Sequence, residues 1–70
     1  MSEMTAMLKS YLFMAGTQGK KQSEIFHRFK YLPREDILLE LNALWAEEKV
    51  QRFTTKPNVF VWRATDKFNV

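Results

Sequence analysis

Apolar residues recur along the first part of the chain with a helical period. Met4, Met7, Leu8, Tyr11, Leu12 and Ala15 follow i, i+3, i+4 spacing, which puts them on one stripe of a helix. Ser2 is placed to cap that helix and Gly16 to end it. A short hydroxyl satisfies the first free N–H groups, and glycine tolerates the left-handed backbone that follows a last turn. Phe13 and Met14 fall off the stripe, which predicts either a wider buried face or an exposed apolar spot. The run TQGKKQ, residues 17 to 22, is a polar connection. SEIFHRFKYL then sets Ile25, Phe26 and Phe29 on one face of a short second helix. Ser23 or Gln22 would cap it, with Glu24 in the first turn against the helix dipole.

KYLP breaks the second helix, because the residue before Pro33 is pushed out of the α region. Pro33 suits the start of a third helix, and Glu35 and Asp36 in its first turn match the positive helix end. Ile37, Leu38, Leu41, Leu44 and Trp45 form its inward stripe. After Glu48 the period changes from 3.6 to 2. KVQRFTT and NVFVWRA read as two strands, and KPN, residues 56 to 58, as the turn between them. The tail TDKFNV contains Phe68, an apolar residue able to fold back on the core. The order of elements predicts an α+β fold: three helices with a helix-turn-helix, followed by a C-terminal β-hairpin wing, a small winged helix. One domain spans residues 1 to 70, with its core in 4 to 64.

Composition narrows the chemistry. There is no cysteine and a single histidine, His27, so no disulfide, thiolate metal site or histidine cluster is expected, and no cofactor either. No apolar run reaches the length of a membrane span. MSEMTAMLKS carries Glu3 and no basic leader, so no signal peptide is expected and the cytoplasm is the expected address. GTQGKK, residues 16 to 21, lacks the spacing and the hydroxyl of a phosphate loop. Glu24 and His27 are i, i+3 neighbours without a nucleophile, and they read as a surface pair. The expectation is a protein that is not an enzyme.

Charge is unevenly placed. The net charge is +3, yet residues 33 to 50 hold five acids and two bases, and the remainder holds nine bases and three acids. A basic excess outside the third helix points to a polyanionic partner.

The residues that order the chain also resemble a known superfamily. GKKQSEIFHRF, then an apolar helix ending LNALWAEEKVQRF, then VFVWRA, resembles the winged-helix superfamily. The matching positions are Glu24-Ile25, Leu41 and Leu44, Glu47 to Lys49, Val50 and Arg52, and Phe60 and Trp62. Among small members the chain looks most like the fimbrial phase-variation regulators, over roughly residues 4 to 64. That resemblance implies DNA binding and transcription regulation, with the third helix in the major groove, the wing on the backbone, and a second DNA-binding protein as partner. The chain departs from the family at Glu48, where a glycine is common, and in the exposed side of its third helix, which lacks the usual basic and amide side chains.

The residues sort into three groups. Lys20, Lys21, Arg28, Arg52, Lys56 and Arg63 are the candidates for phosphate contact with duplex DNA. If the hairpin alternates, Phe60 and Trp62 point one way and Val59, Val61 and Arg63 the other, and Arg52, Lys56 and Arg63 are expected to form one basic wing. Arg34 and Asn42 are the only donors on the third helix suited to base edges. Leu39, Glu40 and Ala43 face outward as a candidate protein contact, for a larger DNA-binding regulator or polymerase. Trp45 and Trp62 are expected in the core between the third helix and the sheet, the alternative being a platform for single-stranded bases. Tyr31 is the aromatic expected to be exposed.

Overall fold

The three helical stripes meet in one core. The computed structural model describes residues 3–69, with helices α1 (Glu3–Ala15), α2 (Gln22–Arg28) and α3 (Arg34–Ala46). They contribute Leu8, Leu12, Ile25, Ile37, Leu41 and Leu44 to a single buried cluster, which Phe29 joins from just past the end of α2. The expected Ser2 cap lies outside the described residues. Gly16 ends α1 as its position predicts, at φ 65, and a 3-10 turn follows over Gly16–Gln18.

TQGKKQ is more than a connection. It contains a two-residue strand, β1 (Lys20–Lys21), beside the hairpin strands β2 (Val50–Lys56) and β3 (Val59–Ala64). The antiparallel sheet runs β1-β3-β2, so the domain is α+β, with three helices and a three-stranded antiparallel sheet. Gly19 lets the chain enter β1. Its φ is 70, and a Cβ there would lie 2.5 Å from the carbonyl oxygen of Trp62, so both the backbone angle and the close approach require glycine. The start of α2 also differs from the expected Ser23 or Gln22 cap. Lys21 is the N-cap residue, and its N–H donates to the Glu24 carboxylate at 2.9 Å. The strand and the helix share that residue, which moves the cap back by one position.

At the start of α3, the Pro33 carbonyl accepts from the N–H groups of Asp36 and Ile37 at 3.1 and 3.2 Å. At its end, Glu48 N–H donates to the Trp45 carbonyl at 2.9 Å and Lys49 N–H to the Leu44 carbonyl at 2.8 Å. This is the Schellman arrangement, and its left-handed position is normally glycine. Glu48 occupies that position at φ 62. A glutamate thus takes the backbone angle that a glycine usually supplies at such a helix end.

The hairpin turn places Pro57 and then Asn58, at φ 64, between paired Lys56 and Val59. A proline followed by a left-handed asparagine is the type II pattern. One residue further in, the ladder slips: Lys56 pairs with Val59 but Thr54 pairs with Phe60, so Thr55 is bulged out. Beyond the bulge, Arg52 opposes Trp62 and Gln51 opposes Arg63. Val50, Trp62 and Ala64 share the face turned to the helices, with Val50 and Trp62 inside the core. The core also extends beyond residue 64, because a 3-10 turn over Asp66–Asn69 buries Phe68 in the same cluster. Thr65 ties that segment back, its N–H to the Lys49 carbonyl at 2.9 Å and its hydroxyl to the Glu48 carbonyl at 2.6 Å.

Candidate nucleic-acid interface

The hairpin holds the chain's charge excess. Residues 50 to 64 contain Arg52, Lys56 and Arg63 and no acid, a local +3 that equals the net charge of the whole chain. The ion pairs among the described residues are Lys20–Glu24 at 4.0 Å, Lys49–Glu47 at 3.7 Å and Lys67–Glu48 at 2.5 Å. None involves the hairpin.

Aromatic rings hold the hairpin arginines instead. The Arg52 guanidinium lies 4.4 Å from the Trp45 ring centroid and 4.7 Å from that of Phe60. Arg63 lies 5.8 Å from the Phe53 ring and donates to the Gln51 side-chain oxygen. Ring and guanidinium attract through the ring quadrupole, which restricts the side chain without neutralising it. The other two arginines follow suit: Arg28 lies over Phe29 and Tyr11 at 5.3 and 6.0 Å, and Arg34 over Phe26 at 5.2 Å.

The bulge decides how the hairpin is charged. Were Thr55 not bulged, the Lys56–Val59 register would continue and set Arg52 directly opposite Arg63, a destabilising like-charge pair. The observed register puts Arg52 on the Trp62 face, with Arg63 and Lys56 on the Val61 and Val59 face. The three cations thus do not make one surface, as simple alternation suggests. They charge both faces of the ribbon.

The remaining candidates divide by element. Lys20 is half-buried on β1, tied to Glu24 and 5.4 Å from the Tyr11 ring. Lys21 is exposed and opposes Val61, on the same face of the sheet as Arg63. Arg28 points to a groove between α1 and the end of α2, lined by Met7, Tyr11, Met14, Phe29 and Tyr31 among others. Arg34 instead lines a hollow with His27 and Lys30 between α2 and α3. Asn42, Ala43 and Leu39 are exposed on one side of α3, with Leu39 70% exposed. Glu40 is separated from them, half-buried and accepting a hydrogen bond from the Thr5 hydroxyl.

Of the two tryptophans expected in the core, one differs from expectation. Trp62 is in the core, its Nε1–H donating to the Gln22 side-chain oxygen at 3.1 Å. Trp45 is 38% exposed and meets Trp62 edge-on at 5.9 Å. Its position in the last turn of α3 sets it at the rim, where β2 begins, so the helical stripe leaves it half outside. Tyr31 is exposed as expected. The pairings of Gln22 with Trp62 and of Thr5 with Glu40 were not legible in the pattern, because a polar residue on a short segment carries no signal of a distant partner. Among the described residues no cluster of metal-ligating side chains occurs, and no helix is long and apolar enough to cross a membrane. Comparison with known proteins gives no match, whether to a family model, a curated protein or a solved structure.

Proposed function

We propose that this chain is a small winged-helix regulator of transcription that grips duplex DNA through its hairpin. The observation that carries the reading is the hairpin's acid-free +3, with both of its arginines held by rings and none of its cations paired with a carboxylate among the described residues. Guanidinium groups with their charge uncompensated bind phosphates bidentately, and a ribbon charged on both faces reaches phosphates on both sides of a groove. Lys21 adds to the Arg63 side, and Arg28 and Lys20 lie further back. The element order helix, helix, helix, hairpin supports the winged-helix assignment, with β1 as the third strand. Base reading by α3 is minor, because Arg34 is drawn over Phe26 and Asn42 stands among acids and apolar residues.

The test is fluorescence anisotropy of a labelled random duplex across a salt series. Affinity should fall steeply with salt, by about 0.9 of a log unit per log unit of salt for each phosphate neutralised. No binding at low salt, or a flat dependence, refutes the reading.

Leu39 favours a second reading that is compatible with the first. A leucine 70% exposed in the middle of a helix, beside Asn42 and Ala43, is a contact for a larger regulator or polymerase, and it would make the chain a co-regulator. Leu39→Asp should then abolish capture of that partner while leaving duplex affinity within about twofold, a change too small to mark a phosphate contact.

A further inference from the structure

The outer edge of β2 carries aromatic surface that phosphate gripping by its arginines does not use. Trp45, Gln51, Arg52, Phe53 and Arg63 line an open groove of about 450 Å³, within the usual range of small-ligand sites. Two of its walls are aromatic, with Trp45 38% and Phe53 36% exposed. In a chain this short, large rings at that exposure leave apolar surface uncovered, whereas Trp62 and Phe68 show that the fold is able to bury others. The two rings lie on either side of the strand, since Phe53 shares its face with Val61 and Arg52 its face with Trp62. Each is accompanied by a guanidinium. β2 is the last strand of the sheet, so its outward backbone N–H groups are open to a ligand.

Stacking faces, cations and free donors together are the chemistry of an unpaired nucleotide. Every base presents a π-face to an aromatic ring or a guanidinium plane, and the adjoining phosphate takes the charge. A paired base within a duplex offers neither face. We infer that the β2 edge binds an unpaired base next to the duplex held by the hairpin, as at a single-stranded extension or a locally opened segment. This inference rests on the proposed nucleic-acid function and adds which structure of nucleic acid is preferred.

The probes are a blunt duplex and a duplex shortened so that, with a five-nucleotide thymine extension, it carries the same total number of phosphates, compared at one salt concentration. The extended duplex should bind about tenfold more tightly, since stacking one base contributes on the order of 1–3 kcal/mol, and it should quench the emission of exposed Trp45. Phe53→Leu and, separately, Trp45→Leu should each bring the ratio of the two affinities toward one. Phe53 lies outside the buried cluster, so its variant keeps the test open if loss of Trp45 disturbs the fold. Equal affinities for the two probes, or a ratio unmoved by Phe53→Leu, overturn the inference while leaving the duplex grip standing. Failure of both probes to bind removes the function and the inference together.

Discussion

From Val50 to Ala64 the chain carries three cations and no acid, while α3 carries Glu35, Asp36 and Glu40 with Arg34 as its one base. The two elements are adjacent in sequence and touch through Trp45 and Arg52. They treat charge in different ways. The acids of α3 and its end serve the fold: Glu35 and Asp36 sit in the first turn, Glu40 accepts from Thr5, and Glu47 and Glu48 pair with Lys49 and Lys67. The hairpin's arginines are positioned by rings. A carboxylate neutralises the cation that it orients, whereas a ring orients it and leaves the charge available. The acidity of α3 is thus mostly structural, and the charge of the hairpin is left without a carboxylate among the described residues.

The inner face of the hairpin sets the largest expected effect. Trp62 is 1% exposed and joins β3 to Gln22 and Trp45. Trp62→Ala should cost about 3–5 kcal/mol, most of the stability of a domain this small, and thermal unfolding by circular dichroism should show no cooperative transition at 37 °C. Leu39→Asp, on the outward side of α3, should stay within about 0.5 kcal/mol of the parent. A comparable loss at Leu39 would mean that α3's outer face is covered by its own chain.

Next is the turn into β1. Gly19→Ala forces a left-handed alanine and a clash with the Trp62 carbonyl, and it should cost about 2–3 kcal/mol. Amide exchange should rise in Lys20 and Lys21 first. Gly16→Ala shares the backbone angle but meets no neighbouring atom, so it should cost about 1 kcal/mol, and the difference isolates the close approach.

What the pattern of residues revealed follows from how far each signal reaches. The buried stripes Leu8-Leu12, Ile25-Phe29 and Ile37-Leu41-Leu44 were legible because helical period is local. The hairpin and its KPN turn were legible for the same reason. β1 was not: two lysines have no period, and only their pairing with Trp62 and Val61 makes them a strand. The arrangement of the hairpin's cations depended on a single residue, since the Thr55 bulge moves Arg52 to the face opposite Arg63. Nothing in QRFTTKPN distinguishes Thr55 from Thr54. Trp45 was misplaced because a helical stripe records direction and not distance from the helix end.

The contrast between the two elements predicts a smaller, functional effect. Arg52→Ala should weaken duplex binding about tenfold and reduce the salt dependence by about one phosphate, with the fold intact. Asn42→Ala should change affinity less than about twofold, far short of the loss expected for a base contact. The opposite ranking, Asn42 large and Arg52 small, would return base reading to α3 and reverse the roles assigned to the two elements.

The smallest expected effect lies where the two elements join. Lys67 hydrogen-bonds the Glu48 carboxylate, and its charge adds to this, so the Glu48 carboxyl titrates below the usual carboxylate range. A carboxyl held low in the folded state contributes stability above its ordinary titration range, and the contribution is lost as pH falls through the folded value. Glu48 is fully exposed, so solvent screens the pair and its contribution is small. Glu48→Gln should therefore lower Tm slightly at pH 7, and the deficit should disappear in strong acid and in high salt. Glu48→Gly separates the side chain from the backbone. It loses the same ion pair but relieves the left-handed strain at φ 62, and it should raise Tm by about 5 °C. A gain that persists at every pH would assign the cost of Glu48 to its backbone. A loss at pH 7 that turned into a gain in acid would mean that the ion pair outweighs the strain when charged.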